Sequence, residues 1–130
     1  MGTTRVTVTL RVPGTTEPSF EADFVVATGA TDCVAPASRL GAIGVHPVGK
    51  MTYQLADGSL HEYEVGIVQI EFMGEITAGR VVFGPETMEP ILGITALESV
   101  GITVDPVRRT LHRVPALPLR RVDAVAPLGA

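Results

Sequence analysis

Phe24-Val25-Val26-Ala27-Thr28-Gly29-Ala30-Thr31-Asp32-Cys33 is the stretch on which the reading of this chain turns. An apolar run with strand character breaks into small residues and hydroxyls, and Gly29 permits a turn that a bulkier residue would resist. The pattern predicts a strand that ends in a sharp loop. Downstream, Pro90-Ile91-Leu92-Gly93-Ile94 is a second apolar strand ending at a glycine. A short helical segment, Thr95 to Val100, and then Gly101-Ile102-Thr103-Val104-Asp105-Pro106 follow it. The two halves read as one signature split across the chain.

Upstream, Val6-Thr7-Val8-Thr9-Leu10 alternates apolar residues with threonines, the period of a half-buried strand. After the turn-rich Pro13 to Ser19, Phe20 to Val26 returns as its hairpin partner. Ala35 to Gly41 reads as one helical turn stopped by Gly41. Lys50 to Leu55 and Leu60 to Phe72 flank Ala56-Asp57-Gly58-Ser59, and Asp-Gly between strand-forming runs is a strong hairpin signal. Gly66 predicts a kink in the second arm. Met73-Gly74-Glu75 is a further turn, Ile76 to Phe83 a further strand, and Ile102 to Val104 pairs with Thr110 to Val114 around a turn that begins Asp105-Pro106.

Composition narrows the function classes. A chain of 130 residues makes one domain with a modest core. A formal charge of −4 offers no basic patch, which argues against a nucleic-acid partner. The one cysteine, Cys33, excludes an internal disulfide and fits a reducing compartment; packed inside a fold it is inert. His46, His61 and His112 lack metal-ligand spacing, so no metal is expected, and nothing calls for another cofactor. No apolar run approaches the ~20 residues of a membrane span, and Met1 to Arg5 lacks a signal-peptide core. The expectation is a cytoplasmic protein without a membrane partner. Met51, Met73 and Met88 are expected to fill core or pocket space.

From Pro115 the character changes: prolines at 115, 118 and 127 argue against a helix or a central strand. The chain divides into a domain over residues 1–114 and a Pro-rich tail over 115–130. Three roles stay open for that tail: a loose end, an edge strand in a dimer interface, or a peptide lying in the protein's own cleft.

The split signature resembles the retropepsin-like (clan AA) aspartic proteases, whose catalytic loop reads apolar-apolar-Asp-Thr-Gly-Ala-Thr/Ser and whose second element reads apolar-Leu-Gly followed by a short helix. The likeness spans roughly Arg5 to Val114. It implies an all-β, closed β-barrel or sandwich with a flap hairpin and one short C-terminal helix, working as a homodimer on an extended peptide or protein substrate. It implies catalytic positions at Ala27, Thr28 and Gly29, substrate contacts at Ala30, Thr31, Asp32 and at the flap tip Ala56, Asp57, Gly58 and Ser59, and support from Ile91, Leu92 and Gly93. Thr28 matches the threonine that hydrogen-bonds across the dimer, and Gly29 the glycine that lets backbone N–H groups reach the carboxylates. Asp32 falls where the family lines substrate pockets, although a loop carboxylate is more often solvated. The arginine that retroviral members carry after the second glycine is Ile94 here, and the aspartate it pairs with is Thr31.

The departure is Ala27, which stands where the family has its catalytic aspartate. Two carboxylates held close share one proton and supply both general acid and general base. A homodimer of this chain has neither. The family-like surroundings of Ala27 argue for an aspartate replaced by engineering or lost recently. A natural peptide-binding protein without cleavage and a structural β-barrel module stand as alternatives.

Overall fold

A computed structural model describes residues 3–114. The roles considered for 115–130 lie outside the described residues. Nine strands and two short helices are described: β1 Arg5–Arg11, β2 Ser19–Ala27, β3 Cys33–Pro36, α1 Ala37–Ala42, β4 Gly49–Gln54, β5 Leu60–Phe72, β6 Glu75–Gly84, β7 Ile91–Gly93, α2 Ile94–Ser99, β8 Ile102–Asp105 and β9 Thr110–Arg113.

Alternation builds the first hairpin. Val8 and Leu10 of β1 are fully buried, while on the other face Thr7 and Thr9 donate hydrogen bonds to Asp23 and Glu21 directly across the pair. Six strands then run β1-β2-β7-β3-β6-β5, and β5 pairs back onto β1 through Leu10↔Ile70, so the sheet closes on itself. Closure leaves those strands without free edges. β4 sits outside the ring, and among the described residues it pairs with β5 alone. The interior holds Phe24, Leu10, Ile70 and Leu92, with Leu40 from α1 and Leu97 from α2 joining the same cluster. Burying side chains of this size contributes about 1.5–3 kcal/mol each before entropy is charged against it.

Long strand β5 changes partner midway. Gly49↔Val65 ends its pairing with β4, and Val65↔Val82 begins its pairing with β6. Gly66 lies at the changeover, within strand β5. Its role is close approach: a Cβ there would stand 2.9 Å from Val45 Cγ1 and 3.1 Å from Phe83 Cε1. At the other end, Met73 (φ 51) and Gly74 (φ 75) form the two-residue hairpin loop that favours positive φ at both positions. Met73 therefore belongs to an exposed turn and not to core or pocket.

Two local expectations are corrected. Ala35 and Pro36 belong to β3, wedged between β7 and β6, and the helix starts only at Ala37. Gly41 lies within α1, and the chain turns at Gly44, whose φ is +88. A first helix thus accompanies the expected α2. The final hairpin forms where expected: β8 pairs with β9 through Ile102↔Arg113 to Asp105↔Thr110 and stands as a separate two-stranded sheet.

Candidate active site

The two halves of the split signature lie side by side. β7 is inserted between β2 and β3, parallel to β2 with Ala27↔Gly93 in register, and antiparallel to β3 through Val34↔Ile91. Beyond Ala27 the chain folds back, with the Ala30 amide donating to the Ala27 carbonyl at 3.0 Å. The loop is then tied to the start of α2: the amides of Ile94 and Thr95 donate to the carbonyls of Ala30 (2.8 Å) and Thr31 (3.2 Å). Gly93 makes this contact possible, because a Cβ there would meet the Asp32 carbonyl oxygen at 2.6 Å and that of Ala30 at 3.0 Å. Leu92 beside it is fully buried in the core.

Above the loop, β4 and β5 form a hairpin whose tip is closed by Gly58 N–H to Leu55 O (2.9 Å) and Leu55 N–H to Ser59 O (2.8 Å). Gly58 takes φ +88, a conformation that suits glycine. Asp57 accepts from both the amide and the hydroxyl of Ser59, and those bonds, the hydroxyl's first, hold its carboxyl below the usual range. Between loop and hairpin lies a cleft of about 1070 Å³. Ala27, Gly29, Ala30, Thr31 and Asp32 line one side, and the hairpin residues Ala56 and Gly58 contribute to the other. Ile91 also faces it. Asp57 and Ser59 do not; they bond to each other at the tip. Thr28 is exposed beside the cleft without lining it.

Asp32 departs from the expected solvated carboxylate. It is buried, and its Oδ2 accepts a 2.7 Å bond from the Tyr53 hydroxyl of β4 and a 3.0 Å bond from Nε of Arg80 on β6. Burial first, and then the bond to Asp32, push the Tyr53 hydroxyl up to about 12, so it remains a donor at neutral pH. One carboxylate thereby joins the loop, the hairpin and the barrel wall. Sequence reasoning missed Tyr53 and Arg80. Met51 and Met88 also line the cleft, in keeping with a pocket-filling role.

Cys33 does not line the cleft. Burial pushes its thiol up to about 11, against a smaller opposing effect of the Gly93 backbone, so it holds no thiolate at neutral pH. Among the described residues, no three His, Cys, Asp or Glu side chains gather as a metal site would require. No described helix is long and apolar enough to cross a membrane.

No protein-family model matches the sequence, and neither does any curated protein. Solved structures do match. The EIAV protease in complex with an inhibitor superposes with a TM-score of 0.56 at 18% identity, over 77% of this chain and 89% of that one. The chain has the retropepsin fold. The retroviral protease-like domain of Ddi1 from Leishmania major matches this retropepsin-fold chain at TM-score 0.51 and 16% identity, over 86% and 90%. The simian foamy virus protease matches at 0.50 and 16%, over 72% of this chain and 91% of its own. At these identities the likeness is one of fold, the all-β closed barrel described above.

Proposed function

We propose that this chain is an aspartic endopeptidase of retropepsin type in an inactive form, its catalytic aspartate replaced by Ala27. The observation that carries the reading is the position of Ala27: at the end of β2, in register with Gly93, and facing a cleft of about 1070 Å³. In the family's arrangement two such loops meet on a two-fold axis, and their carboxylates share a proton across it. One takes a proton from the attacking water while the other donates to the scissile carbonyl. With alanine in both loops that exchange has no carrier.

The exposure of Thr28 and Gly29 beside the cleft supports a homodimer, since a second copy would cover them. The β4–β5 hairpin acts in this reading as the flap, with Ala56 and Gly58 over an extended peptide held by strand-like main-chain hydrogen bonds. Residues 1–114 are the protease domain, and 115–130 a Pro-rich tail. The protein works in the cytoplasm. Ala27 is an engineered or recent replacement, because Gly29, Gly93 and the loop they shape are intact.

Restoring the carboxylate tests this. The Ala27→Asp protein should cleave members of a mixed peptide library that the Ala27 chain leaves whole. An Ala27→Asp protein that is folded and dimeric yet silent would remove the protease reading; retained peptide binding in that protein would favour a binding module instead.

A further inference from the structure

The residues lining the cleft include two charged side chains, Asp32 and Arg80. They are unequally presented. The Asp32 side chain is 6% exposed, whereas that of Arg80 is 38% exposed. The carboxylate is also the more fully engaged of the two, with Oδ2 accepting from both Tyr53 and Arg80. Arg80 has five N–H donors in a fixed fork. One, at Nε, goes to Asp32, and Nη1 makes only a weak 3.6 Å contact with the sulfur of Met51. The pair is neutral overall, but the part a ligand meets is the guanidinium, which lies against Met51 in a cleft that Val34 and Ile91 also line.

We propose that Arg80, held in place by Asp32, is a specificity residue of this cleft, and that it selects peptides carrying an Asp or Glu side chain at the position that reaches it. This rests on the peptide-cleft reading above and names the substrate class for that site. The guanidinium has donors left for a second carboxylate, and bonds between ionised groups are shorter and stronger than neutral ones. Asp32 does not compete for the ligand's place, because it approaches Arg80 at Nε. It also stops the side chain from swinging into solvent, which lowers the ordering cost of binding. The chain's formal charge of −4 gives no general attraction for acidic peptides, so the preference is local to this position.

The test is binding of a randomised peptide library to the Ala27 chain itself, followed by affinities for matched Glu and Gln peptides. Glu over Gln by about tenfold at one position is expected, the size of one bond to a charged group. Arg80→Met should abolish that ratio and Arg80→Lys should keep part of it. The double variant Asp32→Asn with Arg80→Met removes both charges together and serves if Arg80→Met alone does not fold. Equal Glu and Gln affinities, or a ratio unchanged without Arg80, overturn the proposal while leaving the protease reading in place. A library from which no peptide is retained also overturns it, and cleavage by the Ala27→Asp protein judges the protease reading separately.

Discussion

The hydroxyl of Tyr53, on the hairpin, donates a 2.7 Å hydrogen bond to Oδ2 of Asp32, in the loop that follows β2. Both residues line the cleft, and this bond ties the hairpin to the loop. Tyr53→Phe removes the donor and leaves Asp32 with Arg80. The expected result is a loss of about 1 kcal/mol in urea unfolding. Amide exchange should quicken in β4, which among the described residues pairs only with β5.

The Asp32–Arg80 pair should respond unequally to loss of either member. Arg80→Met leaves a buried carboxylate with Tyr53 alone, at an expected cost of about 2 kcal/mol after allowance for the partial exposure of the pair. Asp32→Asn leaves an arginine that reaches solvent, and should cost less than half as much. Paired denaturation midpoints check the order; a reversed order would mean that Asp32 is hydrated when the pair is broken.

Much of this site was legible in sequence, and the part that was not has a physical reason. The turn at Asp57-Gly58 announces itself through local chemistry, and the Ala27 loop and Ile91-Leu92-Gly93 stand out as apolar runs ending at small residues. Arg80 does not, because its partner lies 48 residues away and only the closure of the barrel brings them together. An arginine in a strand otherwise reads as a solvated side chain. β3 was hidden by its brevity: Pro36 suits the start of a helix as well as the end of a strand, and only the slot between β7 and β6 decides it.

Gly93 is expected to tolerate no side chain. The atoms that a Cβ would strike are backbone carbonyl oxygens of Asp32 and Ala30, which have no rotamer to yield. Gly93→Ala should destabilise by about 3 kcal/mol or more through overpacking. Gly29→Ala, with nothing within 4 Å of the added carbon in the single chain, should be far milder in a monomer. Thermal unfolding of the two variants separates these outcomes.

Cys33 sets an alkaline limit. Its thiol is raised from 9.0 to about 11 by burial, so above pH 9 the unfolded chain loses its proton while the folded chain keeps it. The unfolded state then binds fewer protons, and stability falls as pH rises from 9 to about 11. The loss is on the order of 2 kcal/mol, fully absent below pH 9. Cys33→Ala should flatten this part of the stability curve, and the native thiol should resist alkylation at pH 8.

In the proposed protease, catalysis needs an aspartate at position 27 from each of two chains. The measurement that tests this most directly is peptide cleavage by the Ala27→Asp protein titrated with the Ala27 chain at constant total concentration, after the subunits have exchanged. Cleavage should be absent with the Ala27 chain alone, and should fall as the square of the Ala27→Asp fraction, because a mixed dimer holds only one carboxylate. A linear fall would mean that one chain suffices, and a silent Ala27→Asp protein would contradict the claim outright.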